Sequence, residues 1–262
     1  MSNNSIETGF KGTIHVLCGR GRTGKSTWAR WAAERALDNG RELMVVDGDR
    51  TNSTLASFFP DARRPTHADD MTVNRFLENV TAELISKGGN ALIDMGGGDR
   101  LFAALAEHKK FFKVLPRFGI DLLCWHFAAG GRDDFETLVR MNGMGLVSRR
   151  TAIVLNEGLT SPGPVGEDPF ATLLTGRTLT QAVSNGARIL RMPSVPLATM
   201  AEADGLFIGI RAAMEGGVPL GDDGQPHPSA VPLDFWRRME LEDWLAAMEE
   251  RHQGAAVAEW LP

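Results

Sequence analysis

The sequence predicts an α/β fold, a mostly parallel β-sheet with helices on both faces, and two observations predict it. Short apolar, often β-branched runs alternate with helix-periodic segments along most of the chain, the order of elements that a parallel sheet requires. The stretch Gly19-Arg20-Gly21-Arg22-Thr23-Gly24-Lys25-Ser26-Thr27 falls between the first such run and the first such helix, and fits G-x-x-x-x-G-K-[ST] in full. That pattern is the phosphate loop, or P-loop, so the α/β class narrows to the P-loop NTPases.

Composition sets the bounds. With 262 residues, 43% of them hydrophobic, the chain can bury a substantial core. A net charge of −5 excludes a global basic field for nucleic acid or an anionic membrane, while leaving room for a local patch. Both cysteines, Cys18 and Cys124, lie in apolar runs and read as small core residues, which suits a reducing, cytoplasmic compartment. Met1 to Thr8 is polar, and no apolar run is long enough to span a bilayer, so a soluble protein is expected.

In chain order, Thr13–Cys18 is the first strand. Trp28, Ala29, Trp31, Ala32, Ala36 and Leu37 then recur at helical spacing up to a stop at Asn39-Gly40. Glu42–Val46 is a buried strand ending in Asp47-Gly48-Asp49, and Asp61–Asp70 reads as a loop. Met71–Ser86 is helix-periodic, and Ala91–Asp94 is a strand leading into Met95-Gly96-Gly97-Gly98-Asp99. Helices are predicted over Leu101–Val114, Asp133–Met141, Phe170–Val183 and Met200–Met214, and strands over Ile120–Phe127, Thr151–Asn156 and Arg188–Met192. Gly216–Pro232 is a loop. Leu233, Trp236, Met239, Leu241, Trp244, Leu245 and Met248 then form the apolar face of a C-terminal helix. Its acidic excess disfavours a membrane and favours packing on the core or on a partner. The expected organisation is an ATPase domain over residues 1–220, with 221–262 packed on it.

The motif brings its chemistry. Gly19, Gly21 and Gly24 let the backbone wrap phosphates, and Thr23, Thr27 and the following helix start complete the cradle. Lys25 is expected on the β- and γ-phosphates and the Ser26 hydroxyl on Mg²⁺. Asp94, at the end of an apolar strand, fits the Walker B carboxylate beside that ion. The glycines after it, Gly98 among them, allow the backbone to approach the γ-phosphate.

With the loop, Asp47-Gly48-Asp49, Ile93-Asp94-Met95-Gly96-Gly97-Gly98, Leu155-Asn156 and the junction Met214–Leu220 in order, residues 12 to 220 resemble the ParA/MinD family of deviant Walker ATPases. The resemblance implies ATP and Mg²⁺ as ligands and an ATP-dependent homodimer that works with an activator or cargo. It places Asp49 on the attacking water and near the metal, Asn156 on the adenine base, and Pro193 packed against that base. The family's signature lysine is Arg20 here, which the resemblance makes a catalytic residue acting across the dimer. Arg22 replaces the second glycine and is the other candidate for that role. Glycine replaces the proline of the Walker B motif.

The leading expectation is thus a switch ATPase, slow and stimulated by a partner, of the kind that positions plasmids, conjugation complexes or division sites. DNA is a possible cargo through Arg149, Arg150, Arg188, Arg191 and Arg211. The alternative is a P-loop kinase with Arg63-Arg64 as a lid. A non-hydrolysing subunit is a third reading. A GTPase is disfavoured because Asn156-Glu157-Gly158-Leu159 lacks N-K-x-D.

Overall fold

The computed structural model describes residues 9–49, 54–96, 101–143, 150–160, 167–221 and 223–262. Six strands, β1 Gly12–Gly19, β2 Leu43–Asp47, β3 Asn90–Asp94, β4 Ile120–Ala128, β5 Thr151–Asn156 and β6 Arg188–Met192, form one all-parallel sheet in the order β2-β3-β1-β4-β5-β6. The chain runs from β1 outward to β2, returns to β3, and then crosses to β4 on the other side of β1. The reversal leaves a crevice outside the carboxyl ends of β1 and β3, where open α/β sheets bind ligands. The register sets Leu17 beside Asp94 and Asp94 beside Asp47, so the P-loop and two carboxylates emerge at one level. This strand order, with the P-loop between β1 and the next helix, is an α/β P-loop NTPase fold.

Period-2 alternation divides the core between the faces. Ile14, Val16 and Cys18 face α3 (Asp70–Lys87), which buries Val73, Leu77, Val80 and Leu84 along one stripe. Leu17, Leu123, Trp125 and Phe127 face α1 (Lys25–Asp38), which buries Trp28, Ala29, Trp31 and Ala32. β4 and β5 are buried along their whole length and are predominantly apolar, as strands covered on both faces are. Cys18 and Cys124 are both buried and free. Beyond β2, a short helix α2 (Thr54–Phe58) precedes a segment in which Arg63 pairs with Val46, covering the sheet edge.

Three predicted helices are divided. Leu101–Val114 becomes α4 (Leu101–His108) and α5 (Phe111–Val114), because Lys110 adopts a left-handed conformation at φ 53°. After α6 (Arg132–Gly143), Phe170–Val183 becomes α7 (Ala171–Leu174) and α8 (Arg177–Ser184). The Thr175 hydroxyl there bonds back to Ala171 O and Gly176 starts the next helix. Met200–Met214 becomes α9 (Leu197–Gly205) and α10 (Ile210–Met214). The opening between them offers Ile208 O to buried Arg30 and Ile210 N to Glu34, so α1 takes up the backbone groups that the break releases.

The C-terminal helix α11 (Phe235–Gly254) starts at Asp234, whose carboxylate accepts from Arg237 N. Its buried stripe is Leu241, Trp244, Met248 and His252. Trp236 and Met239, predicted on the apolar face, are 73% and 38% exposed, because they lie about 80° and 140° round the helix from Trp244. The stripe joins the α1 face of the core. Trp28 Nε1 donates to His252 Nε2 at 3.0 Å, His252 Nδ1–H donates to Met248 O at 2.6 Å, and the imidazole lies 4.5 Å from the Trp31 ring.

Burial holds His252 at about 4, well below the ordinary 6.5. The unfolded chain takes up this proton first, so the stability tied to a neutral His252 is complete above about pH 6.5 and is lost as pH falls towards 4. Urea unfolding at about pH 7.5 and about pH 5 should therefore show a smaller acid-side loss in His252→Gln than in the unsubstituted protein, the difference reaching up to about 2 kcal/mol. Equal losses in the two proteins would remove His252 as the cause.

Candidate nucleotide-phosphate site

The loop between β1 and α1 is shaped by two glycines that no other residue could replace without strain. Gly19 has φ 136°, and a Cβ there would stand 2.7 Å from Phe127 O. Gly24 has φ 91°, and a Cβ there would stand 2.2 Å from Asn156 Nδ2. Arg22, although not glycine, has φ 62°. The Thr23 hydroxyl donates to Arg20 O at 2.9 Å and ties the loop across its own width.

Beneath the loop, Lys25 is only 6% exposed, and its Nζ donates to Arg20 O at 2.7 Å and Gly19 O at 3.4 Å. Burial lowers its pKa, with Asp94, Cys18 and Asp49 pulling the other way. The Ser26 hydroxyl donates to Asp94 Oδ2 at 2.7 Å. Asp94 is 3% exposed, and burial raises its carboxyl to about 6 against the opposing effects of Ser26 and Lys25. A carboxylate so placed lacks cationic charge, and Mg²⁺ beside Ser26 would supply it.

The two aspartates after β2 part company. Asp47 is buried and turned into the fold, accepting from Ala56 N at 2.9 Å and Asp49 N at 3.2 Å, so it anchors α2. Its pKa is raised by burial. Asp49 remains part-exposed and lies against Gly96, where a Cβ would come within 2.8 Å of Oδ1. Gly48 N donates to Asp94 O at 2.8 Å and links the ends of β2 and β3. Gly98 lies outside the described residues. Thr27 is half-buried on the first turn of α1, and Gly21 is exposed on the loop.

On the other side of the loop, Asn156 is buried and its amide is engaged at both ends. Nδ2 donates to Thr23 O at 3.1 Å and Oδ1 accepts from Gly158 N at 3.0 Å. It thereby supports the P-loop directly. Pro193 is buried at the end of β6, and its carbonyl accepts from Trp244 Nε1 at 3.1 Å.

The two arginines of the loop also differ. Arg20 is paired within its own chain, 3.3 Å from Asp133 and 3.7 Å from Asp134 at the start of α6. Asp134 in turn accepts from Ala129 N and Gly131 N and holds the β4–α6 turn. Arg22 is exposed and makes no ion pair or hydrogen bond among the described residues. Sequence reasoning missed both Asp134 and Trp244 as supports of the site. The Gly130-Gly131 turn before two aspartates was a signal for the first, whereas Trp244 carries no local one.

The arrangement fits a triphosphate with Mg²⁺. Among the described residues the buried ammonium has two loop carbonyls for hydrogen-bond partners, and a serine hydroxyl meets an under-compensated carboxylate. Among the described residues no cluster of three ligating side chains forms a cage. A P-loop ion, which draws ligands from serine and phosphate oxygens, does not require one.

No family model matches the sequence, and no curated protein does. Among solved structures, the chain is similar to the MinC:MinD cell division protein complex of Aquifex aeolicus, at 13% identity and TM-score 0.46 over 80% of this chain and 98% of that one. It is similar to the cell division protein FtsY of Thermotoga maritima at 15% identity and TM-score 0.45, over 92% and 72%. To FtsY of Mycoplasma mycoides it is 17% identical with TM-score 0.36, covering 55% of this chain and about half, 52%, of the other. The fold assignment rests on the strand order and the place of the P-loop.

A carboxyl raised by burial is costly to ionise where no cation offsets it. Folded Asp94 holds its proton up to about pH 6 while the unfolded chain releases it near 3.8, so stability falls as pH rises between these values and stays lower above them. Asp94→Asn should therefore raise the stability of the nucleotide-free protein at about pH 8 by up to about 3 kcal/mol, with the gain fading towards pH 4. The same variant should lose the thermal stabilisation produced by Mg²⁺ and a nucleoside triphosphate. Urea and thermal unfolding measure both, and a destabilised apo variant at high pH would contradict this reading.

Proposed function

We propose that this protein is an ATP-hydrolysing molecular switch that dimerises through its Mg²⁺–ATP site to position a cargo. The observation that carries the proposal is the buried Lys25 ammonium under the P-loop, next to the Ser26–Asp94 pair at the switch point of the sheet. The reaction is phosphoryl transfer to water, in which the protein positions groups and stabilises charge. Ser26, with Asp94 hydrogen-bonded to it, would hold Mg²⁺, which when bound would supply neutralising charge to the phosphate oxygens. Lys25 leaves its carbonyl partners for the phosphates, the loop N–H groups point at them, and Asp49 orients the attacking water. Asn156, which contacts the loop at Thr23, and Pro193 at the end of β6 would bound the base.

For the charge supplied across the dimer we favour Arg22 over Arg20. Arg20 is held by Asp133 and Asp134 of its own chain, whereas Arg22 is exposed and unengaged among the described residues. Most of the arginines that could form a DNA patch are neutralised: Arg150 pairs with Asp121, Arg191 with Asp168 and Glu157, and Arg211 with Asp38. Arg149 lies outside the described residues. This supports a protein cargo more than DNA. No helix among the described residues is long and apolar enough to cross a membrane.

A second reading has one observation in its favour. A cavity of about 370 Å³ is lined by Arg64, Thr66, Thr72, Arg75 and Asn79, and the charge of Arg64 acts on Asp47. Such a pocket could seat the acceptor of a phosphotransferase. Phosphate release that needs no acceptor distinguishes the switch from this enzyme.

The test is calorimetric binding of Mg²⁺–ATP and Mg²⁺–GTP together with phosphate release. Lys25→Ala should abolish binding. Asp49→Ala should bind ATP normally while phosphate release falls about 100-fold. Arg22→Ala should lose at least ~100-fold in release at unchanged monomer affinity, and Arg20→Ala should lose less. A reversed order for the two arginines would move the trans role to Arg20. Retained binding in Lys25→Ala would defeat the proposal.

A further inference from the structure

A second cavity, about 270 Å³, lies at the amino ends of the strands, between the starts of β1 and β3 and the segment 259–262. Its floor is built of side chains whose donors are left over. His15 is 3% exposed on β1, and its Nδ1 accepts from Trp125 Nε1 at 3.4 Å, which leaves the proton on Nε2. The imidazole borders the cavity, and Nε2 has no partner among the described residues. Asn90 Oδ1 accepts from Thr13 N at 3.0 Å, which fixes the amide and leaves Nδ2 as a donor without a partner there. The Thr13 hydroxyl borders the same space.

Two guanidiniums flank this floor. Arg41 Nη1 donates to Leu261 O at 3.3 Å and Pro262 O at 3.0 Å. Arg150 pairs with Asp121 at 2.9 Å and stands 5.5 Å from the centre of the Trp260 ring. Glu259 contributes one carboxylate to the lining and is itself exposed. At the floor the field is positive: burial and then Arg150 push His15 down to about 3, so it stays a neutral donor at all physiological pH. Donors left unpaired in a half-open, polar cavity favour an acceptor-rich occupant, most of all at the buried His15.

The geometry points to a binding site for a small oxyanion, a carboxylate or a phosphate, held by His15 Nε2, Asn90 Nδ2 and the Thr13 hydroxyl between Arg41 and Arg150. It is separate from the P-loop. His15 precedes Gly19 by four strand residues, about 13 Å along β1.

The probes are sodium malonate and inorganic phosphate, titrated separately at constant ionic strength into the full chain. Binding is followed by calorimetry and by the ¹⁵N shift of His15 Nε2. The proteins are the unsubstituted chain, Lys25→Ala, Asn90→Asp and Arg41→Gln. Asn90→Asp keeps the acceptor for Thr13 N and puts a carboxylate where the donor stood, and Arg41→Gln alters an exposed residue should the first variant fold poorly. At least one probe should bind the unsubstituted chain and Lys25→Ala alike and move the His15 resonance. Its affinity should fall at least about tenfold in Asn90→Asp and in Arg41→Gln. Malonate alone would identify carboxylates as the class, and phosphate alone would identify phosphate esters. No movement of the His15 nitrogen with either probe at tens of millimolar means a cavity holding water only and overturns the proposal. Binding lost in Lys25→Ala but kept in Asn90→Asp belongs to the P-loop and overturns it equally.

Discussion

Lys25 and Asp94 bring opposite charges into the same dry space under the loop that joins β1 to α1. Neither is satisfied there as it would be in water. The ammonium leans on the carbonyls of Gly19 and Arg20, and the carboxylate has one serine hydroxyl and the field of the lysine. Taking charges out of water is costly unless they are fully paired. The fold sustains this arrangement because β1 and β3 are neighbours in a sheet buried on both faces, in a register that fixes Asp94 beside the P-loop. The unmet electrostatic demand is what makes the crevice a place for polyanionic phosphate with its cation, and not an ordinary strand end.

Around that centre the rest of the molecule acts as support. Asp134 fixes the β4–α6 turn and draws Arg20 to it, Asn156 props the loop at Thr23, and Asp47 ties α2 to β2. The C-terminal helix extends the support to the far side. Its indole at Trp244 holds the carbonyl of Pro193, and its imidazole at His252 receives the Trp28 N–H from the helix that begins at the P-loop. Through these two bonds α11 touches both the carboxyl end of β6 and the α1 core. The proposed oxyanion site lies at the opposite end of the same central strand.

Much of this was legible because it is local. The motif at Gly19–Thr27, the buried runs of β4 and β5, and the acidic ends of β2 and β3 each follow from residues within a few positions of one another. β5 occupies Thr151–Asn156 as predicted. What was not legible depends on distant partners. The break between α9 and α10 is set by Arg30 and Glu34, more than 170 positions away. The left-handed conformations at Lys110 and Phe207 occur on residues that give no sign of them. Trp236 and Met239 misled because apolar residues at roughly helical spacing need not all face the core. The roles expected of Arg20 and Asn156 depended on resemblance alone, and no local pattern announces the ion pair of the one or the P-loop contact of the other.

The central claim is that ATP and Mg²⁺ in this crevice join two copies of the chain. Sedimentation velocity of the purified protein with Mg²⁺ and no nucleotide, ADP, ATP or a non-hydrolysable ATP analogue tests it most directly. The account predicts a monomer without nucleotide and with ADP, and a dimer with ATP or the analogue, most persistent with the analogue. A mass indifferent to nucleotide would contradict it.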